Sequence, residues 1–212
     1  MDNHWKGKLW YAYGTSMTSI AQGKYVPVVE KLSGLKVKNL SIPGGCLTPD
    51  GYGKGNVKTA VLDLNDGKRE ADLITLEVLP NEGAKVGGIY DTDDESFCGC
   101  FNQCLRFLQE NTKATIVVII MIGSNRFSPE KMGEKRGITQ YEFSEVIKKV
   151  ARLNSVPVID VFGESGFGYA RVKGGNYQVD HIHLNDLGGL NVGKFVWSKL
   201  KSIPVWESKT QV

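Results

Sequence analysis

The chain of 212 residues contains 41% hydrophobic and 23% charged residues, which is typical of a globular protein with one sizeable core. The net charge of +3 comes from lysines and arginines scattered among acidic residues, without the basic stripe of a nucleic-acid-binding protein. No apolar run is long enough to cross a bilayer. We therefore expect a single domain over residues 1–212, with neither nucleic acid nor a membrane as partner.

The opening residues and the cysteines indicate a reducing compartment. His4, Lys6 and Lys8 stand among aromatic residues and form no signal peptide, which predicts a cytoplasmic protein, with phage association or non-classical export left open. Three of the four cysteines fall in one predicted helix, without zinc-like spacing or a fourth ligand. We expect core thiols and no metal.

The first predicted element is a buried strand that leads into a polar turn. Leu9–Tyr13 is apolar and aromatic, and Gly14 then permits a sharp turn that presents Ser16. A hydroxyl held above the carboxyl end of a buried strand is a candidate nucleophile. Alternatively, Thr15, Ser16 and Thr18 only bond the local backbone, as turn residues do.

Strands and helices then alternate along the chain, which predicts a three-layer α/β/α sandwich with a five-stranded parallel sheet. The acidic residues between Asp91 and Glu95 lack the later Gly and Glu of a calcium loop, so we expect them to cap the next helix. After Tyr13 the predicted elements are a helix from near Pro27 to Gly34, a strand at Val37–Ser41, a helix at Val57–Leu64, a strand at Leu73–Leu79, a helix around Phe97–Leu108, a strand at Thr115–Ile122, a helix at Gln140–Asn154, a strand at Val156–Val161, a Gly-rich loop, and a helix at Asp186–Leu200.

Polar turns follow several of these strands at the edge where parallel sheets bind ligands. In the turn after the second strand, Gly44 lets backbone N–H groups approach a ligand, although a plain tight turn fits equally well. Asn81 follows the third strand.

A histidine base must be one of only three residues. His4 lies near the terminus, whereas Asp180 and His183 are close enough in sequence to share one turn. The carboxylate can then hold one imidazole nitrogen while the other nitrogen faces a nucleophile, and His181 points elsewhere. Alternatively, Asp180 starts a helix and His183 is a packed core residue.

Taken in order, Gly14-Thr15-Ser16-Met17-Thr18, Gly44, Asn81 and Asp180-x-x-His183 resemble the sequence blocks of the SGNH hydrolases, also called the GDSL esterase/lipase family. The resemblance spans nearly the whole chain and implies the flavodoxin-like fold of that family. It also implies Ser16 as nucleophile, His183 as base and Asp180 as the residue that orients the base. The oxyanion hole would consist of the Ser16 and Gly44 N–H groups and the Asn81 amide, and no cofactor would be needed.

Two positions depart from the family pattern. Thr15 stands where the family usually has Asp, and Leu79-Pro80-Asn81-Glu82 stands where it has Gly-x-Asn-Asp. Neither change removes a proposed catalytic group, so we expect effects on substrate range and rate rather than on the type of reaction.

The resemblance predicts a serine esterase that hydrolyses small acyl esters, acetyl esters above all. The segment Trp5–Trp10 is similar to the entry of such domains in phage and bacterial carbohydrate-acting proteins, which implies an O-acetylated carbohydrate as substrate. Lipid esters, thioesters and small alkyl esters stay open. The alternatives are a flavodoxin-like protein that binds FMN at the Thr15–Thr18 turn and a non-catalytic carbohydrate-binding module of the same fold. The oligomeric state is not indicated.

Overall fold

The computed structural model of the protein describes residues 3–49, 55–79, 85–122 and 137–205. Its centre is one five-stranded sheet with the strand order β2-β1-β3-β4-β5. All neighbouring strands are parallel, which is the flavodoxin-like arrangement. This confirms the predicted fold class. The strands are β1 Leu9–Tyr13, β2 Lys36–Asn39, β3 Leu73–Val78, β4 Thr115–Ile120 and β5 Val158–Asp160.

Helices cover both faces of the sheet. Helices α1 and α7 share one apolar cluster with the sheet, and α2, α3 and α4 share the other. No helix in the described ranges is both long and apolar enough to span a bilayer. The helices are α1 Tyr25–Ser33, α2 Val57–Leu62, α3 Phe97–Asn111, α4 Gln140–Leu153, α5 Val161–Glu164, α6 Tyr169–Gly174 and α7 Asp186–Leu200.

Some predicted helix and strand boundaries differ from the observed ones, because side-chain hydrogen bonds to the backbone begin or end these elements. Helices α5 and α6 occupy the connection that we predicted to be a Gly-rich loop. Asp160 begins α5 because its side chain accepts a hydrogen bond from the Gly163 N–H at 2.7 Å. β2 ends at Asn39 rather than Ser41, since the Asn39 side chain accepts bonds from the Ser41 N–H and hydroxyl.

The middle strands are buried on both faces, and their side chains alternate between the two helical layers. Every residue of β3 and β4 is buried. Along β3, Leu76 and Val78 belong to the α2/α3/α4 side, whereas Thr75 accepts a hydrogen bond from the Trp10 indole on the α1/α7 side. By this alternation Glu77 also lies on the α1/α7 side.

The cysteines and acidic residues around the start of α3 serve the helix and the core. Cys98, Cys100 and Cys104 are buried, as predicted, and burial raises the pKa of the Cys98 thiol to about 12. Asp93 accepts bonds from the backbone preceding α3, but the N-cap itself is Ser96, whose hydroxyl accepts from the Gly99 N–H at 3.1 Å. The prediction that an acidic residue between Asp91 and Glu95 caps α3 is therefore wrong, because Ser96 supplies the cap and Asp93 orders the residues before it.

Two tryptophans near the start of β1 are core residues. Trp5 and Trp10 are both 0% exposed. The Trp5 indole donates to the Leu200 carbonyl at 3.0 Å, and the Trp10 indole donates to the Thr75 hydroxyl at 2.9 Å. The segment whose similarity suggested a carbohydrate substrate therefore presents neither indole ring at the surface for a sugar to stack on.

Candidate active site

Ser16 lies in a tight turn directly after β1. The Thr18 N–H donates to the Thr15 carbonyl, and the Ser19 N–H donates to the Ser16 carbonyl, both at 3.1 Å. Gly14 must lack a side chain, because a Cβ there would lie 2.4 Å from the Thr18 hydroxyl. The turn thus leaves Ser16 half-buried between two buried neighbours, Thr15 and Met17.

His183 is carried by a second turn that the Asp180 side chain builds. Asp180 Oδ1 accepts hydrogen bonds from the N–H groups of Ile182 at 3.1 Å and His183 at 2.8 Å. This Asx-type turn, rather than a helix, puts the aspartate and the histidine side by side. The alternative in which Asp180 starts a helix is therefore wrong, because the cap of α7 is Asn185.

The structure brings Ser16, His183 and Asp180 into one chain of hydrogen bonds. His183 Nε2 lies 3.0 Å from Ser16 Oγ, and His183 Nδ1 lies 2.7 Å from Asp180 Oδ2. Partial burial acts to raise the pKa of Asp180, but the hydrogen bonds from His183 and Ile182 outweigh it and hold the pKa at about 2. The ionised carboxylate accepts from Nδ1–H, which leaves Nε2 to accept the Ser16 hydroxyl proton.

The two turns are tied to each other by the segment after Ser16. The Leu184 N–H donates to the Gln22 carbonyl at 3.0 Å. Lys24 forms an ion pair with Asp186 at 2.6 Å across the same junction, although Asp186 is too exposed for this pair to add much stability. Because the backbone bond immediately follows His183, it fixes the histidine relative to the Ser16 turn.

The turn that contains Gly44 lies next to the Ser16 turn. The Ile42 N–H donates to the Gly14 carbonyl at 2.9 Å, and Gly44 has φ +77°, a conformation that favours glycine. In the part of the chain that the structure describes, neither the Ser16 N–H nor the Gly44 N–H donates to a protein acceptor. These two donors therefore remain available to a ligand.

Asn81 and His4 are the remaining candidates that the sequence offers. Asn81 and Pro80 lie outside the described residues, so Asn81 stays a prediction. His4 is not at the site, since it contacts the Ile203 carbonyl beyond α7. Among the described residues, no cluster of three or more His, Cys, Asp or Glu side chains could hold a metal ion.

Glu77 is a residue of the site that was not predicted from the sequence. This residue is 2% exposed, and its carboxylate accepts hydrogen bonds from Thr15 and Thr18, the residues on either side of the Ser16–Met17 tip of the turn. A charged residue inside the run Leu73–Leu79, which is apolar apart from Thr75, was the signal that could have found it, since a buried carboxylate needs partners.

The backbone of His181 is strained. His181 has φ +70°, which costs a residue with a side chain about 1–2 kcal/mol. We expect the His181→Gly variant to be more stable than the His181→Ala variant by about 1 kcal/mol, because only glycine relieves the strain while both lose the imidazole. Urea unfolding of the two variants measures the difference.

Ile182 offers the matched control, because its backbone φ is not positive. There the order should reverse, with Ile182→Ala more stable than Ile182→Gly by about 0.5–1 kcal/mol. Equal stability of the two His181 variants would contradict the expected strain.

Solved structures with the same fold cover almost the whole chain, whereas no family model and no curated protein sequence matches it. A protein from Lactobacillus plantarum has a TM-score of 0.78 at 20% identity, over 94% of this chain and 99% of that chain. A possible lipase from Chitinophaga pinensis has 0.68 at 16% identity, over 92% and 98%. A variant of an acetyl-xylooligosaccharide esterase from Geobacillus stearothermophilus has 0.62 at 12% identity, over 98% and 100%. The resemblance to the SGNH hydrolases is thereby confirmed at the level of the fold.

Proposed function

We propose that this protein is a serine esterase that hydrolyses small acyl esters through an acyl-enzyme on Ser16. The single observation that carries the proposal is the continuous chain of hydrogen bonds from Ser16 through His183 to the ionised carboxylate of Asp180. A serine hydroxyl becomes a nucleophile when an imidazole takes its proton, and the imidazole needs a carboxylate to hold the correct tautomer.

In the acylation step, Ser16 Oγ attacks the ester carbonyl carbon while His183 Nε2 takes the hydroxyl proton. The carbonyl oxygen becomes an oxyanion, to which the N–H groups of Ser16 and Gly44 would donate, with Asn81 as the proposed third donor. The bond between the acyl carbon and the alcohol oxygen then breaks, and the alcohol leaves with the proton from His183.

Deacylation repeats these steps with water. His183 Nε2 takes a proton from the water as its oxygen attacks the acyl carbon, and the same donors stabilise the second oxyanion. The proton then returns to Ser16 Oγ as the carboxylic acid departs, which restores the starting hydrogen bonds.

For the substrate we propose an acetyl ester, with O-acetylated carbohydrate as the natural class. This is supported by acetylxylan and acetyl-xylooligosaccharide esterases among the structures of the same fold. Trp5 and Trp10 do not add to it, because both indoles are buried.

The flavin alternative is disfavoured by the charge beneath the turn. A flavin phosphate would need the hydroxyls of Thr15 and Thr18 as donors, but both hydroxyls already donate to the Glu77 carboxylate. That buried negative charge would also repel a phosphate. A non-catalytic module, in turn, gives no reason for a nucleophile–base hydrogen bond of 3.0 Å between Ser16 and His183.

The test uses the wild-type protein with p-nitrophenyl acetate, butyrate and octanoate and with acetylated xylo-oligosaccharides, together with a fluorophosphonate probe. We expect hydrolysis that is fastest for the acetyl esters, and stoichiometric labelling that mass spectrometry places on the Ser16 peptide. Labelling elsewhere, or no hydrolysis of any ester in a folded and colourless protein, would contradict the proposal. A yellow protein would favour the flavin alternative.

A further inference from the structure

A buried carboxylate lies beneath the proposed nucleophile and is not used by the chemistry described above. Glu77 is the penultimate residue of β3. The neighbouring strand β1 leads directly into the Ser16 turn. Its Oε2 accepts from the Thr15 N–H at 2.7 Å, from the Thr15 hydroxyl at 2.9 Å and from the Thr18 hydroxyl at 3.1 Å. Three donors of one short turn thus converge on a single oxygen.

We infer that Glu77 is a positioning residue for the nucleophile, which fixes the Ser16 hydroxyl and N–H by holding Thr15 and Thr18 on either side of them. The inference rests on the proposed esterase function. Because the strand that carries Glu77 is buried throughout, the carboxylate is a rigid anchor for a turn that has few backbone hydrogen bonds of its own.

The absence of a side chain at Gly14 leaves space for the Glu77 carboxylate. A Cβ on Gly14 would lie 2.5 Å from Glu77 Oε2, so only glycine at that position leaves space for the carboxylate to reach the turn. Gly14 therefore both permits the sharp turn and leaves room for the Glu77 carboxylate.

Thr18 connects the anchor to two further elements. Its carbonyl accepts from the Asn39 side-chain amide at 2.8 Å at the end of β2. Its hydroxyl lies 3.2 Å from the Tyr25 hydroxyl at the start of α1. Since the Thr18 hydroxyl donates its proton to Glu77, the Tyr25 hydroxyl is the donor of this pair. Burial, and then the Glu77 charge, raise the pKa of Tyr25 and keep that proton in place.

A carboxylate suits this position better than an amide. The Thr15 N–H, the Thr15 hydroxyl and the Thr18 hydroxyl all donate to one oxygen, and hydrogen bonds to an ionised carboxylate oxygen are stronger than those that a neutral amide oxygen would accept there. A Glu77→Gln variant keeps the volume but weakens the hold on Thr15 and Thr18. Small displacements of a nucleophile lower the rate of attack far more than they lower substrate binding.

The experiment measures kcat and KM for p-nitrophenyl acetate, the rate of labelling by the fluorophosphonate probe, and the melting temperature. For Glu77→Gln we expect kcat and the labelling rate to fall about 10- to 100-fold while KM changes less than about threefold. Thr15→Val, which removes only the hydroxyl, should lower kcat by about three- to tenfold, and Thr15→Ser should restore it. Glu77→Gln combined with Thr15→Val should lose less than the product of the single effects.

Asp160→Asn is the matched control, because Asp160 is also an acidic residue that is 2% exposed, at the end of a strand of the same sheet. It caps α5 and pairs with Lys148, so its loss should lower the melting temperature without lowering kcat. The inference is overturned if Glu77→Gln keeps kcat within about threefold of wild type, or if its losses in kcat and melting temperature match those of Asp160→Asn. If Glu77→Gln does not fold, an unchanged kcat in Thr15→Val overturns it. Failure of the wild type to react with ester or probe would instead refute the esterase function itself.

Discussion

Replacing Ser16 by alanine is expected to lower kcat for ester hydrolysis by about 10⁴- to 10⁶-fold, because no other hydroxyl in the chain is bonded to His183 in the described structure. The substitution removes one oxygen from a half-buried side chain, whose one side-chain partner among the described residues is that imidazole. Folding should therefore be unaffected, and the melting temperature should stay at the wild-type value.

The measurement is kcat with p-nitrophenyl acetate at matched protein concentration, with labelling by the fluorophosphonate probe as a second readout. Ser198→Ala is the control, since Ser198 is exposed on α7 and its hydroxyl only donates to the Phe195 carbonyl one turn earlier. Activity that survives in Ser16→Ala would refute the assignment of the nucleophile.

Replacing Asp180 by asparagine is expected to lower kcat by about 10³- to 10⁴-fold with little change in KM. The asparagine carbonyl oxygen can still accept from the Ile182 and His183 N–H groups, so the turn should survive. The amide NH₂ would then donate to His183 Nδ1 and force the ring proton onto Nε2, where it opposes the Ser16 hydroxyl.

Asp186→Asn is the matched control for this prediction. Asp186 lies at the start of α7, its side chain is 95% exposed and it pairs with Lys24 rather than with His183. It should keep wild-type kcat. Equal activity of Asp180→Asn and Asp186→Asn would mean that His183 does not depend on the carboxylate.

The low pKa of Asp180 also predicts how stability depends on pH. The group has a pKa of about 2 in the folded protein against an ordinary value of 3.8, so the unfolded chain binds its proton first as the pH falls. Its contribution is fully present above about pH 4 and is lost as the pH falls towards 2. The stability difference between wild type and Asp180→Asn should shrink across that window in urea titrations. A difference that is constant with pH would contradict the shift.

Much of the fold was predictable because its signals are local. The apolar runs at β3 and β4 can only be strands buried on both faces, and Ser96 or Thr139 followed by a helical apolar pattern marks a helix start. Alternation of strands and helices predicts a parallel sheet. In a parallel sheet the turns that follow the strands all lie at the edge formed by the carboxyl ends of the strands. Short helices such as α5 and α6 carry too few residues for a periodic pattern, so they were missed.

The residue types of the candidate site were also readable from the sequence. Ser16 follows a buried strand and a glycine, and Asp180 and His183 have a spacing that fits one turn. Serine, histidine and aspartate side chains can supply a nucleophile, a base and an orienting carboxylate. The sequence by itself determined the fold class and which side chains could react.

Only the tertiary structure decided which groups meet. The 3.0 Å contact between Ser16 and His183 joins residues 167 positions apart, and it depends on the Leu184–Gln22 bond that docks one turn on the other. The position of the Glu77 carboxylate beneath the turn was likewise set by the register between β1 and β3, since pairing of Tyr13 with Leu76 places Glu77 beside Thr15. The physical reason is that helix and strand signals arise between near neighbours in the chain, whereas the partner of a buried polar side chain is set by packing between distant segments.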